Sequence, residues 1–218
     1  WRVGVVGAGQ MGAGIAEVCA RSDADVLVYE PTRELVAGGR SRILRSLDRG
    51  VSSGKLTERE REQAALRLRF TTELDGFADR HVVCEAVVED EAVKTEIFAV
   101  LDKTVSDPCA VLASNTSSIP IITLGMATQN PARVVGLHFF NPVPVLPLVE
   151  LVSTLHTGAD IVTRAESFAN AVLGKQVIAS ADRSGFVVNA MLVPYLLSAI
   201  RLVENGFADI EDVDRGMV

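Results

Sequence analysis

Val3-Gly-Val-Val-Gly7-Ala-Gly9-Gln-Met-Gly12 is the stretch on which the fold turns. The Val-rich run Arg2–Val6 reads as a buried strand, and over Gln10–Arg21 apolar residues recur three and four apart, the spacing of a helix. Three glycines sit where the strand passes into the helix. Gly7 permits a tight turn, Gly9 lets the backbone approach a pyrophosphate, and Gly12 lets the helix pack closely on the strand. Gln10 and Met11 complete the loop at the helix N-terminus, the end that attracts anions. Strand, glycine turn and helix in this order predict a dinucleotide-binding βαβ unit rather than a turn that binds nothing.

Working outward, Asp25–Tyr29 reads as a second strand with Glu30 at its end. An acid there is placed to hydrogen-bond an adenosine ribose, which favours NAD; Arg33 nearby keeps NADP as the alternative. A long helix follows at Arg33–Arg49, then strands at Leu66–Thr71 and His81–Cys84, a helix near Glu91–Val105 and a strand at Ala110–Ala113. Strands at Val134–Phe139 and Leu146–Val152 flank a proline-rich turn, and the pair Ile161–Leu173 (helix) and Gln176–Ala179 (strand) completes the series. This alternation predicts the α/β class, an N-terminal Rossmann-type doubly wound and mostly parallel sheet. The polar stretch Ala181-Asp-Arg-Ser-Gly185 marks the boundary: residues 1–183 form the first domain, and residues 184–218, which read as helix only, are the start of an all-α C-terminal domain.

Composition limits the function. With 48% hydrophobic and 22% charged residues over 218 positions the chain has the makeup of an ordinary globular protein. A formal charge of -7 argues against a nucleic-acid partner, which needs a positive surface to displace counterions. Cys19, Cys84 and Cys109 are odd in number and far apart, which suggests neither a disulfide framework nor a metal site and fits a reducing cytoplasm. No secretory leader is visible at the start, and the apolar run Gly185–Ile200 is interrupted by Asn189, Pro194 and Ser198, so it reads as a buried helix rather than a membrane span. Trp1 is not a start methionine and the tail stops within a predicted helix, the pattern of a shortened chain.

Several polar residues fall where chemistry is placed in such sheets. His138 lies near the end of a predicted strand, at the carboxyl edge where open α/β sheets bind ligands. Glu150 stands in the apolar stretch Val145-Leu-Pro-Leu-Val-Glu-Leu-Val152 and needs a partner if ionised. Should the two meet, Glu150 fixes the imidazole tautomer and the other ring nitrogen is free to act as a general base; the alternative is a structural histidine. Ser114-Asn-Thr-Ser-Ser118 follows another buried strand and either holds a substrate oxygen or caps the next turn. Asn189, among apolar residues, also needs a hydrogen-bond partner. Arg42, Arg45 and Arg49 share one helical face, with Ser46 adjacent and Lys55 shortly after, and either solvate that face or counter an anion with several phosphates such as coenzyme A.

Taken in order, GAGQMG, ASNTSS, HFFNPVP, LVELV and SGFVVNAMLVPYL resemble the 3-hydroxyacyl-CoA dehydrogenase family, including the 3-hydroxybutyryl-CoA dehydrogenases, over essentially the whole chain. The resemblance implies interconversion of an (S)-3-hydroxyacyl-CoA, short-chain in the first instance, and a 3-ketoacyl-CoA with NAD(H), a step of fatty-acid β-oxidation. It implies His138 as general base with Glu150 as its partner, Ser117 and Asn189 at the substrate oxygen, and Asn141 close to the dyad and the nicotinamide. Glu30, Glu89, Lys94 and Asn115 match cofactor-contacting positions. It further implies an acyl-CoA partner, for which Ser46 and Lys55 beside the basic stripe are the candidate contacts, and a homodimer formed through the helical domain. Two departures weaken the CoA expectation: Pro147 replaces a common lysine, and Ser52-Ser-Gly54 replaces a lysine-rich tract. Other Rossmann β-hydroxyacid dehydrogenases or imine reductases, and a non-catalytic NADH sensor, are the competing readings.

Overall fold

A computed structural model describes residues 1–217. Eight strands form one sheet: β1 (Arg2–Val6), β2 (Asp25–Tyr29), β3 (Leu68–Thr71), β4 (Val82–Glu85), β5 (Val111–Ser114), β6 (Val134–Phe139), β7 (Leu148–Ser153) and β8 (Gln176–Ala181). Their spatial order is β3-β2-β1-β4-β5-β6-β7-β8. The first six run parallel; β7 pairs antiparallel with β6, and β8 runs parallel to β7. Strand order reverses between β1 and β4, and the carboxyl ends on either side of that switch open a crevice.

Alternation along the strands feeds two cores. Val3 and Val5 pack with Ile15, Ala16 and Cys19 of α1 (Gln10–Arg21) on one face. Val6, Val83 and Leu112 pack on the other with Phe98 and Leu101 of α4 (Glu91–Thr104) and with Ile121 and Leu124 of α5 (Ile121–Met126). Full burial of side chains such as Phe98 and Leu101 contributes about 1.5–3 kcal/mol each. On α2 (Arg33–Ser52) the buried residues Gly39, Ile43 and Leu47 fall four apart and form its inward stripe. Its N-cap, Thr32, accepts from the Leu35 amide.

Sequence reasoning missed two helices, the short α5, read as a turn after Ser114–Ser118, and a longer one before β3. α3 (Glu58–Leu66) buries only Ala64 and is otherwise polar, so it carries no apolar period to read. Its signal was the capping box, in which the Glu60 side chain accepts from the Thr57 amide and the Thr57 hydroxyl accepts from the Glu60 amide. Because α3 takes Leu66, the strand expected from that residue starts at Leu68. The helix expected over Ile161–Leu173 is α6 (Ala159–Ser167) followed by a π-helical stretch, Phe168–Val172, whose wider turn has no sequence signature.

After β8 the chain enters α7 (Val188–Glu204) and α8 (Ile210–Gly216), neither of which buries a residue. Among the described residues no helix is long and apolar enough to cross a membrane.

Candidate active site

The glycine loop is built for an anion. Gly7 has φ +93°, a left-handed conformation that side chains resist, and its amide donates to the Tyr29 carbonyl at 2.9 Å. A Cβ on Gly12 would run into the Gly7 carbonyl, so bare backbone is what lets α1 start this close to β1. A Cβ on Gly9 would meet nothing within 4 Å, because that residue borders open space. Gly9 is also the N-cap of α1 and offers no side chain to the first amides, which leaves them for a ligand. Both sides of the Ala8 peptide are held from outside: Glu30 Oε1 accepts from the Ala8 amide, and the Arg42 guanidinium donates to the Ala8 carbonyl. Arg42 thus leaves the basic stripe of α2 to brace the loop.

A cavity of about 1120 Å³ runs along the carboxyl edge of the sheet from this loop to His138. Gly7, Gly9, Gln10 and Met11 line one end with Glu30. Glu89, Lys94 and Asn115 line its middle, and Ser117, His138, Asn141 and Asn189 line the other end. Gly12 is buried behind the loop and Glu150 beneath the imidazole. Ser46, half-buried on α2, and Lys55, exposed in the turn before α3, do not line this cavity; Lys55 borders a separate cleft of about 650 Å³.

His138 and Glu150 are register partners on β6 and β7, so their side chains leave the same face of the sheet side by side. Nδ1 of His138 lies 2.6 Å from Oε2 of Glu150, with the glutamate fully buried. The other carboxylate oxygen, Oε1, accepts from the amides of Val187 at 3.0 Å and Val188 at 2.9 Å. A carboxylate only accepts, so Nδ1 is the donor in this contact, and in the neutral ring Nε2 keeps its lone pair. Phe140 and Phe186 wall the imidazole at ring-centroid distances of 4.6 and 5.6 Å. Phe186 takes a φ of +50°, which places its ring in the core beside His138 instead of in solvent.

The Ser114–Ser118 segment is organised by acids that come from elsewhere in the chain. Glu89 accepts from the Thr116 hydroxyl, from the Ser117 amide at 3.2 Å and from the Ser118 hydroxyl at 3.1 Å. Partial burial pushes the Glu89 carboxyl up, but the Thr116 hydroxyl, the Lys94 ammonium and the Ser117 and Ser118 donors outweigh it and hold it below the ordinary carboxylate value. Asn115 Oδ1 accepts from the Phe139 amide at 2.9 Å and so ties this segment to the end of β6.

Three contributors were not singled out from the sequence. Glu85 ends β4 and is fully buried; its only sequence signal is an acid closing the run Val82-Val83-Cys84. Asp182, just past β8, accepts from the Ile121 and Ile122 amides at 2.9 and 2.8 Å and caps α5 across a gap of about sixty residues. Lys175 is buried with its ammonium on the Val143 and Leu146 carbonyls at 2.6 and 2.7 Å, which shapes the proline-rich turn before β7. Among the described residues no group of three or more His, Cys, Asp or Glu side chains is placed to hold a metal.

A doubly wound sheet with an uncapped glycine turn, an acid at the end of β2 and an imidazole–carboxylate pair on one cavity defines the class of nicotinamide-dependent oxidoreductases. Residues 2–183 match the 3-hydroxyacyl-CoA dehydrogenase NAD binding domain and residues 185–218 match the 3-hydroxyacyl-CoA dehydrogenase C-terminal domain. The chain belongs to the 3-hydroxyacyl-CoA dehydrogenase family, and its cofactor is NAD.

Among its relatives, a 3-hydroxybutyryl-CoA dehydrogenase of Mycobacterium tuberculosis is 66% identical over 217 residues, covering 100% of this chain and 76% of the relative. The human mitochondrial hydroxyacyl-coenzyme A dehydrogenase is 39% identical over 222 residues, covering 99% of this chain and 70% of the relative. The crystal structure of M. tuberculosis FadB2 superposes with a TM-score of 0.95 at 66% identity, covering 97% of this chain and 74% of that one. That of (S)-3-hydroxybutyryl-CoA dehydrogenase PaaH1 from Ralstonia eutropha also superposes with a TM-score of 0.95, at 38% identity over 99% and 76% of the two chains.

Proposed function

We propose that this protein interconverts (S)-3-hydroxybutyryl-CoA and acetoacetyl-CoA, with His138 as general base and acid and Glu150 as its partner. The reading is supported by the 2.6 Å contact between His138 Nδ1 and Glu150 Oε2 on the cavity that also holds the glycine loop. It is supported as well by relatives named 3-hydroxybutyryl-CoA dehydrogenase, at 66% and 40% identity.

NAD, when bound, would supply the acceptor for the hydride leaving C3 of the hydroxyacyl group and, once reduced, its donor in the reverse direction. Gly9 and the free amides of α1 would hold its diphosphate, and Glu30 its adenosine ribose. Glu89, Lys94, Asn115 and Asn141 line the path towards the nicotinamide. In oxidation the Nε2 lone pair of His138 takes the 3-hydroxyl proton, and the imidazolium so formed is paired with the buried Glu150 carboxylate. Ser117 and Asn189 hold the same substrate oxygen. In reduction the proton goes back from Nε2 to the carbonyl oxygen.

Residues 1–183 form the cofactor domain in this reading, and residues 184–218 the first part of a helical domain that completes the site and forms a homodimer. In the same reading Ser46 and Lys55, which lie outside the cavity, meet the CoA moiety, and the protein works in the cytoplasm.

The test is a steady-state assay of the full-length protein with acetoacetyl-CoA and NADH or NADPH. Oxidation of NADH that depends on acetoacetyl-CoA is the expected result. NADH binding without turnover, or a preference for NADPH, would overturn the reading.

A further inference from the structure

Behind the cavity, at the carboxyl end of β4, Glu85 is fully buried and does not line the space itself. An ionised carboxylate taken out of water needs several strong partners, and Glu85 has three, from three segments. Oε1 accepts from the Lys94 ammonium of α4 at 2.6 Å and from the Val87 amide at 2.7 Å, and Oε2 accepts from the Ser114 hydroxyl at 2.6 Å. Its backbone joins the same neighbours: Glu85 and Ser114 are register partners, and the Glu85 carbonyl accepts from the Asn115 amide at 2.9 Å.

Lys94 is itself buried, and its ammonium has a second, longer contact with Glu89 at 3.3 Å. Two carboxylates therefore share one ammonium, and the shorter contact belongs to Glu85, the one that does not line the cavity. While Glu85 holds Lys94, the Glu89 carboxylate keeps its contacts to Thr116, Ser117 and Ser118. If Glu85 loses its charge, Glu89 becomes the sole anion beside a buried ammonium, and both side chains shift from their places on the cavity wall.

We infer that Glu85 is a positioning residue for the dinucleotide, acting through Lys94 to fix the middle of the cofactor cavity without touching the cofactor. The inference rests on the reading of that cavity as the NAD site.

The experiment is a double-mutant cycle in the full-length protein, with Glu85→Gln, Lys94→Met and the pair, read by NADH fluorescence titration and by KM and kcat for NAD. Glu85→Gln is expected to weaken NADH binding about tenfold, the scale of one charge-assisted hydrogen bond. KM should rise by more than kcat falls, and Glu85→Asp should recover part of the affinity. Because Glu85 acts through Lys94, the double variant should bind NADH no more weakly than Lys94→Met alone. That comparison stands even if Glu85→Gln does not fold, since the double variant removes both charges of the buried pair. Additive losses, or a Glu85→Gln protein that binds NADH like the parent, would overturn the inference. Glu30→Ala, outside this network, reports on the cavity: unchanged NADH affinity there removes the cavity assignment and the inference with it. A weakened Glu30→Ala beside an additive cycle overturns the role of Glu85 alone.

Discussion

His138 and Glu150 stand directly opposite each other on antiparallel strands, with Nδ1 and Oε2 2.6 Å apart, in the one pairing of the sheet where the strand direction reverses. A parallel neighbour would need a crossover of a dozen or more residues, whereas here residues 140–147 alone return the chain and bring imidazole and carboxylate together. His138→Ala should lower kcat at least about a hundredfold, the low end for loss of a general base. Glu150→Gln should lower kcat by a comparable factor and also lower the melting temperature, because the Val187 and Val188 amides lose a charged acceptor. Turnover left intact in either variant would contradict the assignment.

Two glycines of the loop should respond in opposite ways to the same added methyl. In Gly12→Ala the new Cβ meets the Gly7 carbonyl, so the loop must move and stability should fall by about 1–3 kcal/mol by thermal or urea unfolding. In Gly9→Ala the methyl meets no protein atom within 4 Å, so unfolding should match the parent. NADH binding by Gly9→Ala should nonetheless weaken, since the methyl enters the space offered to the diphosphate. Normal cofactor affinity in Gly9→Ala would show that the ligand lies elsewhere.

Glu89 gives the apo protein a pH signature. Its carboxyl is held below the ordinary value of 4.5, so the unfolded chain takes up a proton before the folded one does as pH falls. The stabilisation Glu89 provides is complete above the unfolded value and disappears as pH drops through the folded one. Melting curves of parent and Glu89→Gln should therefore converge as pH falls from above the ordinary value of 4.5 through the lower pH at which the folded-state carboxyl takes up its proton. A constant gap across that range would mean that the Thr116, Ser117 and Ser118 contacts do not favour the charged form.

The three thiols should be chemically unequal. Burial pushes the Cys84 thiol up to about 12, with the neighbouring Glu85 charge adding to it, and burial next to Cys84 raises Cys19 well above the ordinary thiol value. Cys109 is exposed. Brief alkylation with iodoacetamide near pH 8 should add one label, at Cys109, by intact mass and peptide mapping. Rapid labelling at Cys84 would show that β4 opens to solvent.

Much of this architecture could be read from residue order because each cue was local. The glycine loop carries its own strand, turn and helix, and the valine runs of β1, β4 and β6 announce buried parallel strands. The His138–Glu150 pairing was accessible because an acid inside an apolar strand demands a partner. What escaped reading depended on distant partners or on weak periodicity. The nine residues of α3 make a helix held by its caps, with little apolar face. Arg42 belonged to an apparent surface stripe until the fold brought the Ala8 carbonyl to it. Asp182 caps a helix sixty residues earlier in the chain, and Glu85 shows its importance only through Lys94, Ser114 and Val87.

The two-sided grip of Glu150 ties the His138 imidazole to the seating of α7. One oxygen steadies the imidazole while the other fastens the first turn of α7, so displacement of that helix strips the carboxylate of two of its three donors. The freed oxygen would then compete for the ring or draw in water. A shift at the start of α7 would therefore be felt at the imidazole through the shared carboxylate.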